Sequence, residues 1–180
     1  MIYLKKSVKT AFCGIAAALS LALMFAGSLL SVFAYAVPMF LGVVVFMINK
    51  TFGKGYAFYV FLAVAILSML FVPDKETALM YALFFGYYPI VKQIIEKIKV
   101  IILPFILKLL LFNFSVFIIE FLCVKVFGIP FFDDGVFSKS ILILFVAAMN
   151  LCFIIYERFL KNFKILYERK IEPKILKALK

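Results

Sequence analysis

The stretch VIILPFILKLLLFNFSVFIIEFLCVKVFG, Val100 to Gly128, is apolar apart from Lys108, Asn113, Ser115, Glu120 and Lys125. A strand that crosses lipid alternates apolar and polar side chains over about ten residues, whereas this run is continuous and long enough for a helix to cross a hydrocarbon core of roughly 30 Å. The stretch therefore reads as a transmembrane helix. The rest of the chain repeats the pattern: 67% of its 180 residues are apolar, 16% are charged, and the mean hydropathy is +1.18. So few polar side chains cannot cover a water-soluble body of this length, and the composition specifies an integral membrane protein. At about 20 residues per span, the length accommodates roughly six helices and no soluble catalytic domain.

The spans fall at about 10–30, 32–49, 55–73, 77–95, 100–128 and 138–160. Their breaks are marked by turn formers and charge: KTFGKG at 50–55, VPDKE at 72–76 and GIPFFDDG at 128–135. The break between the first two spans, around 28–38, carries no charge. Residues 1–160 form the six-helix domain, and 161–180 a basic amphipathic tail that extends span six and lies along the membrane surface beyond Pro173.

The basic residues set the orientation. Lys5, Lys6 and Lys9 precede span one, Lys50 and Lys54 follow span two, Lys92, Lys97 and Lys99 follow span four, and the tail from Arg158 onward is strongly basic. All these positions lie on one side of an even-numbered bundle, so the positive-inside rule places both termini in the cytoplasm of a multi-pass plasma-membrane protein. The opposite side carries Lys75, Lys125 and Lys139 against Asp74, Glu76, Asp133 and Asp134. The net charge of +11 thus reflects topology and contact with anionic lipid, and not a nucleic-acid footprint.

Several chemistries are excluded. There is no histidine, no glycine-rich phosphate loop, no HExxH and no serine–histidine arrangement, so the chain is not expected to be an enzyme or to hold a metal or cofactor. Cys13, Cys123 and Cys152 are odd in number and fall within spans, which suggests packing residues and no disulfide framework. Lys5 and Lys6 followed by an apolar run and Ala34-Tyr35-Ala36 imitate a secretory signal, but the run is too long for one.

Two patterns inside the spans carry functional information. On span one, Gly14, Ala18, Ala22 and Ala26 recur every fourth residue as a small-residue stripe, flanked by Ala16 and Ser20. Such a stripe lets another helix backbone approach closely, either within the chain's own bundle or on a second membrane subunit. The other pattern is polar groups in hydrocarbon. Asn113 and Glu120 share a face of span five, Asn150 lies in span six, and Tyr81 and Phe85 belong to an aromatic stripe on span four. Together Tyr81, Phe85, Asn113, Glu120 and Asn150 suit an apolar pocket with a few directed polar groups. Alternatively, the two asparagines bond across helices and Glu120 sits at the outer interface. Lys108 is expected to snorkel toward the cytoplasm, and FFGYYPIVK, Phe84 to Lys92, to bend span four at Pro89 while Gly86 permits close packing.

Six helices in about 180 residues, both ends inside, the stripe on helix one and the short inner turn in NKTFGKGYAFYV, Asn49 to Val60, resemble the substrate-binding S components of energy-coupling factor (ECF) transporters. The resemblance implies that Ala18 and Ala22, with Gly14 and Ala26, dock onto a transmembrane coupling subunit. It also implies that a vitamin-like small molecule binds from outside among helices four to six, and that separate cytoplasmic ATPases drive uptake. The connection between helices one and two is shorter than in many members. MreD-type rod-shape proteins look like the same six-helix class, which makes a cell-envelope scaffold the alternative reading.

Overall fold

A computed structural model describes residues 5–29, 35–98, 102–128 and 139–178, and among them the regular structure is entirely helical. Six rods follow one another: α1 (Lys6–Leu29), α2 (Ala36–Phe52), α3 (Lys54–Phe71), α4 (Lys75–Ile95), α5 (Leu103–Lys125) and α6 (Lys139–Leu166). Four of them, α1, α3, α4 and α5, are long and apolar enough to cross a membrane, while α2 is apolar but has 17 residues. Of the expected loop at 128–135 all but Gly128, and of the expected break at 28–38 residues 30–34, lie outside the described residues.

The connections show why these residues stop and start helices. Between α2 and α3 the expected six-residue turn shrinks to Gly53 alone, at φ 98° and ψ 172°, a region open essentially only to glycine. Its N–H bonds the carbonyl of Asn49, and α3 begins at the next residue. After α3, Val72 is extended and Asp74 caps α4, accepting from the Glu76 N–H at 3.1 Å and from the Thr77 hydroxyl. Lys75 Nζ reaches back to the carbonyls of Met69 and Val72, both at 2.9 Å, and satisfies the end of α3.

Two packed layers meet at α2 and α4. Met24, Leu41, Val45, Val60 and Val64 join α1, α2 and α3 in one apolar cluster, while Phe84, Tyr88, Phe112, Phe153 and Tyr156 join α4, α5 and α6 in the other. Helix α4 is the central element: 61% of its apolar stretch is buried, against 22% in α1 and α5. The outward faces are covered with large apolar side chains such as Leu19, Tyr59, Leu70, Phe117 and Leu144. An exposed apolar surface of that extent matches lipid rather than water.

No break marks residue 160. Helix α6 runs through its last turns into a π-helical turn, Tyr167–Ile171, and on to the short helix Glu172–Ala178, so Pro173 does not end the rod. Tyr167 is fully buried against Phe46 and Phe163, its hydroxyl meets Thr51, and Glu168 pairs with Lys50 at 2.9 Å. These contacts fasten the start of the tail to the end of α2.

The irregularity in α4 also differs from expectation. Regular i to i−4 bonding gives way to a π-helical turn at Tyr81–Phe85, closed by the Gly86 N–H on the Tyr81 carbonyl at 2.8 Å, a full turn before Pro89. Pro89 sits in the first turn of the following segment and cannot donate to the Phe85 carbonyl. Gly86 does provide close packing: a Cβ there would lie 2.6 Å from the Phe61 ring of α3. Gly42 serves likewise on α2, where a Cβ would meet Phe85 O at 2.6 Å and the Tyr156 hydroxyl at 2.5 Å.

Candidate functional site

The α4 π turn brings Phe84 and Phe85 toward α5 and α6, and the space among these rings is not filled. A cavity of about 310 Å³ remains where α2 and α4 begin and α5 finishes. Met80, Phe84 and Phe85 of α4 line it with Phe112, Val116 and Ile119 of α5. Met149, Cys152 and Phe153 of α6 form the far wall, and Met39 and Tyr35 close the α2 side. Among the described residues no charged side chain is in this lining. The rings are held in place by one another: Phe112 and Phe153 stack at 4.7 Å, and Phe84 stacks on Tyr88 at 4.7 Å and meets Phe112 edge-on at 5.1 Å. Small-molecule sites run to roughly 300–1,000 Å³ with mostly apolar walls, and this cavity lies at the small end of that range.

The five residues expected to form a pocket are placed in four different settings. Phe85 lines the cavity. Tyr81 points to the other side of α4, fully buried in the α1–α3 cluster beside Phe61, with its hydroxyl unpartnered among the described residues. Asn113 and Asn150 bond each other in both directions, at 2.9 and 3.1 Å. Each amide also donates to a carbonyl of its own helix, Leu109 or Val146, at 2.8 Å. Both amide hydrogens of each asparagine are thereby engaged within α5 and α6. Glu120 is half-buried, next in sequence to the cavity-lining Ile119 and one turn beyond Val116, and has no hydrogen bond or ion pair among the described residues.

Tyr35 links the cavity to charge. Its ring lines the chamber and its hydroxyl donates to Glu76 Oε1 at 2.8 Å. Asp74 and Glu120 lie within electrostatic reach of the same hydroxyl, and Glu76 and Glu120 within reach of each other. This rim is therefore acidic.

At the other end of the same three helices is a cluster that the sequence reading did not assemble. Lys108 does not snorkel to water; it is buried, bonding Glu96 at 3.0 Å and Glu157 at 2.5 Å. Lys92, also buried, joins the same two carboxylates, Glu96 at 3.2 Å and Glu157 more closely, and Tyr88 donates to Glu157 at 2.5 Å. Two cations and two anions thus alternate across α4, α5 and α6, and each charge has two opposite neighbours. A buried lysine in a span demands a counter-charge at the same depth, and Glu96 and Glu157 were the available signal.

On α1 the small-residue stripe faces outward. Gly14, Ala18, Ala22 and Ala26 are all exposed, and a Cβ on Gly14 would meet nothing within 4 Å. The chain's own bundle uses a different face of α1: Cys13, Ser20, Met24 and Gly27 are buried, and a Cβ on Gly27 would lie 2.5 Å from Val37. Ser20 therefore belongs to the inner face, with Ala16 half-buried beside it. Next to the stripe, Ile15, Leu19 and Leu23 of α1 and Val44, Met47 and Ile48 of α2 border an apolar groove of about 260 Å³.

No protein-family model matches this chain, and neither does any curated protein or solved structure.

Proposed function

We propose that this chain is the ligand-binding membrane subunit of an uptake system of the ECF type, with six spans and both termini in the cytoplasm. The positive-inside bias supports that orientation, and it puts the cavity in the outer half of the bundle and the Lys92–Glu157–Lys108–Glu96 cluster at the inner end. A small, largely apolar molecule binds in the cavity from outside. The exposed stripe Gly14, Ala18, Ala22 and Ala26 docks on a transmembrane coupling subunit whose separate ATPases supply the energy.

The cavity carries this reading. A bundle that serves only as a scaffold has no need of an unfilled chamber of about 310 Å³ walled by ordered rings. The outward stripe adds to it, since small residues that pack nothing inside the bundle remain free for a second helix. The scaffold alternative, a structural subunit of the cell envelope, draws on one observation: Asn113 and Asn150 satisfy each other and leave no amide hydrogen for a ligand.

Gentle purification from the native membrane, followed by denaturation and mass spectrometry of the released small molecules, tests the reading. A vitamin-sized compound at about one per chain is expected. An empty protein that co-purifies with cell-envelope components would favour the scaffold.

A further inference from the structure

The chemistry of the cavity narrows the ligand class, and the narrowing rests on the ligand-binding reading above. The walls are aromatic and thioether groups: Phe84, Phe85, Phe112 and Phe153 with Met80 and Met149. Among the described residues no lysine or arginine lines the cavity to oppose a positive charge. At its mouth Tyr35 is held by Glu76, with Glu120 within electrostatic reach of both. Lys75, the cation adjacent in sequence to Glu76, is turned away and occupied by the carbonyls of Met69 and Val72. Glu120 thus stands without a counter-charge among the described residues, although a carboxylate in an apolar span ordinarily has one. Ring faces attract cations through their quadrupole, and desolvation strengthens that attraction. Among the described residues no three His, Cys, Asp or Glu side chains converge as a metal ion would require.

We infer that the cavity takes an organic cation, a molecule with an apolar or aromatic body seated among the rings and one positively charged end held at the Tyr35–Glu76–Glu120 rim. The body supplies the apolar contact area and the rim supplies the discrimination. A neutral molecule of the same shape leaves Glu120 unpaired, and an anion adds repulsion from two carboxylates.

Cys152 provides the readout, since it is exposed and lines the cavity, whereas Cys13 and Cys123 are buried. The rate of Cys152 modification by a neutral maleimide is measured on the purified full-length protein. The probes are trimethyl(2-phenylethyl)ammonium, its isostere with carbon in place of nitrogen, and 2-phenylethanesulfonate. The cation is expected to protect the thiol at a concentration at least tenfold lower than the neutral isostere, and the sulfonate not to protect. In Glu120→Gln the cation's advantage is expected to fall to about threefold or less while protection by the neutral isostere persists, which shows that the variant is folded. Equal protection by cation and neutral isostere, or an undiminished cation preference in Glu120→Gln, would overturn the inference while leaving the ligand-binding reading intact. No protection by any probe at its solubility limit would count against the cavity as a binding site and overturn both.

Discussion

Glu157 ties three helices together, because Lys92, Lys108 and Tyr88 all bond its carboxylate. The three helices α4, α5 and α6 meet at that one group. Replacing one partner of a buried ion pair leaves the other charge uncompensated, at a cost of about 3–5 kcal/mol. Glu157→Gln should therefore lower thermal stability in detergent by an amount of that order. Adding Lys92→Met to it should recover part of the loss, since the remaining Lys108–Glu96 pair is again balanced. A double variant less stable than the single one would show that the network is not coupled as its geometry indicates. The sequence revealed each of these residues but not their meeting. Periodicity gives the faces of one helix, whereas this cluster depends on how three helices are rotated about one another. Asn113 and Asn150 were more legible, because two asparagines at similar depth in neighbouring spans have few partners other than each other.

Among the elements, the α2–α3 hairpin gives the clearest case of backbone chemistry. The reversal depends on Gly53 at φ 98°, and a Cβ there would touch nothing within 4 Å, so substitution costs conformation without contact. Gly53→Ala should destabilise the protein by about 1–3 kcal/mol in thermal unfolding, whereas Gly55→Ala, also in open space but without a positive φ, should be close to neutral. Equal effects at the two positions would contradict this account of the turn. Composition marked the KTFGKG break correctly but made it too long, because Lys50 to Phe52 and Lys54 to Gly55 join the flanking helices. Turn-forming residues advertise a reversal, and the hydrogen-bond ladder decides how few of them it uses. Helix α4 teaches the same lesson. Pro89 was the visible irregularity, yet the ladder departs earlier, at the π turn Tyr81–Phe85, which no residue type announces.

For the whole molecule, composition made the membrane character legible and the continuous apolar runs the helical class, and the described residues form six rods. The direction of the small-residue stripe was not legible, since Ala and Gly every four residues suit an internal seam and an external one equally. The structure separates them: Met24, Ser20 and Gly27 pack inward while Gly14, Ala18, Ala22 and Ala26 stay exposed. The central claim is that this face couples ligand capture to a partner, and the most direct test is Ala18→Trp assayed two ways in the native cell. Uptake of the co-purifying small molecule should fall at least tenfold while its binding to the purified variant stays within about twofold of the parent. Undiminished uptake in that variant would contradict the docking model, and so the account built on it.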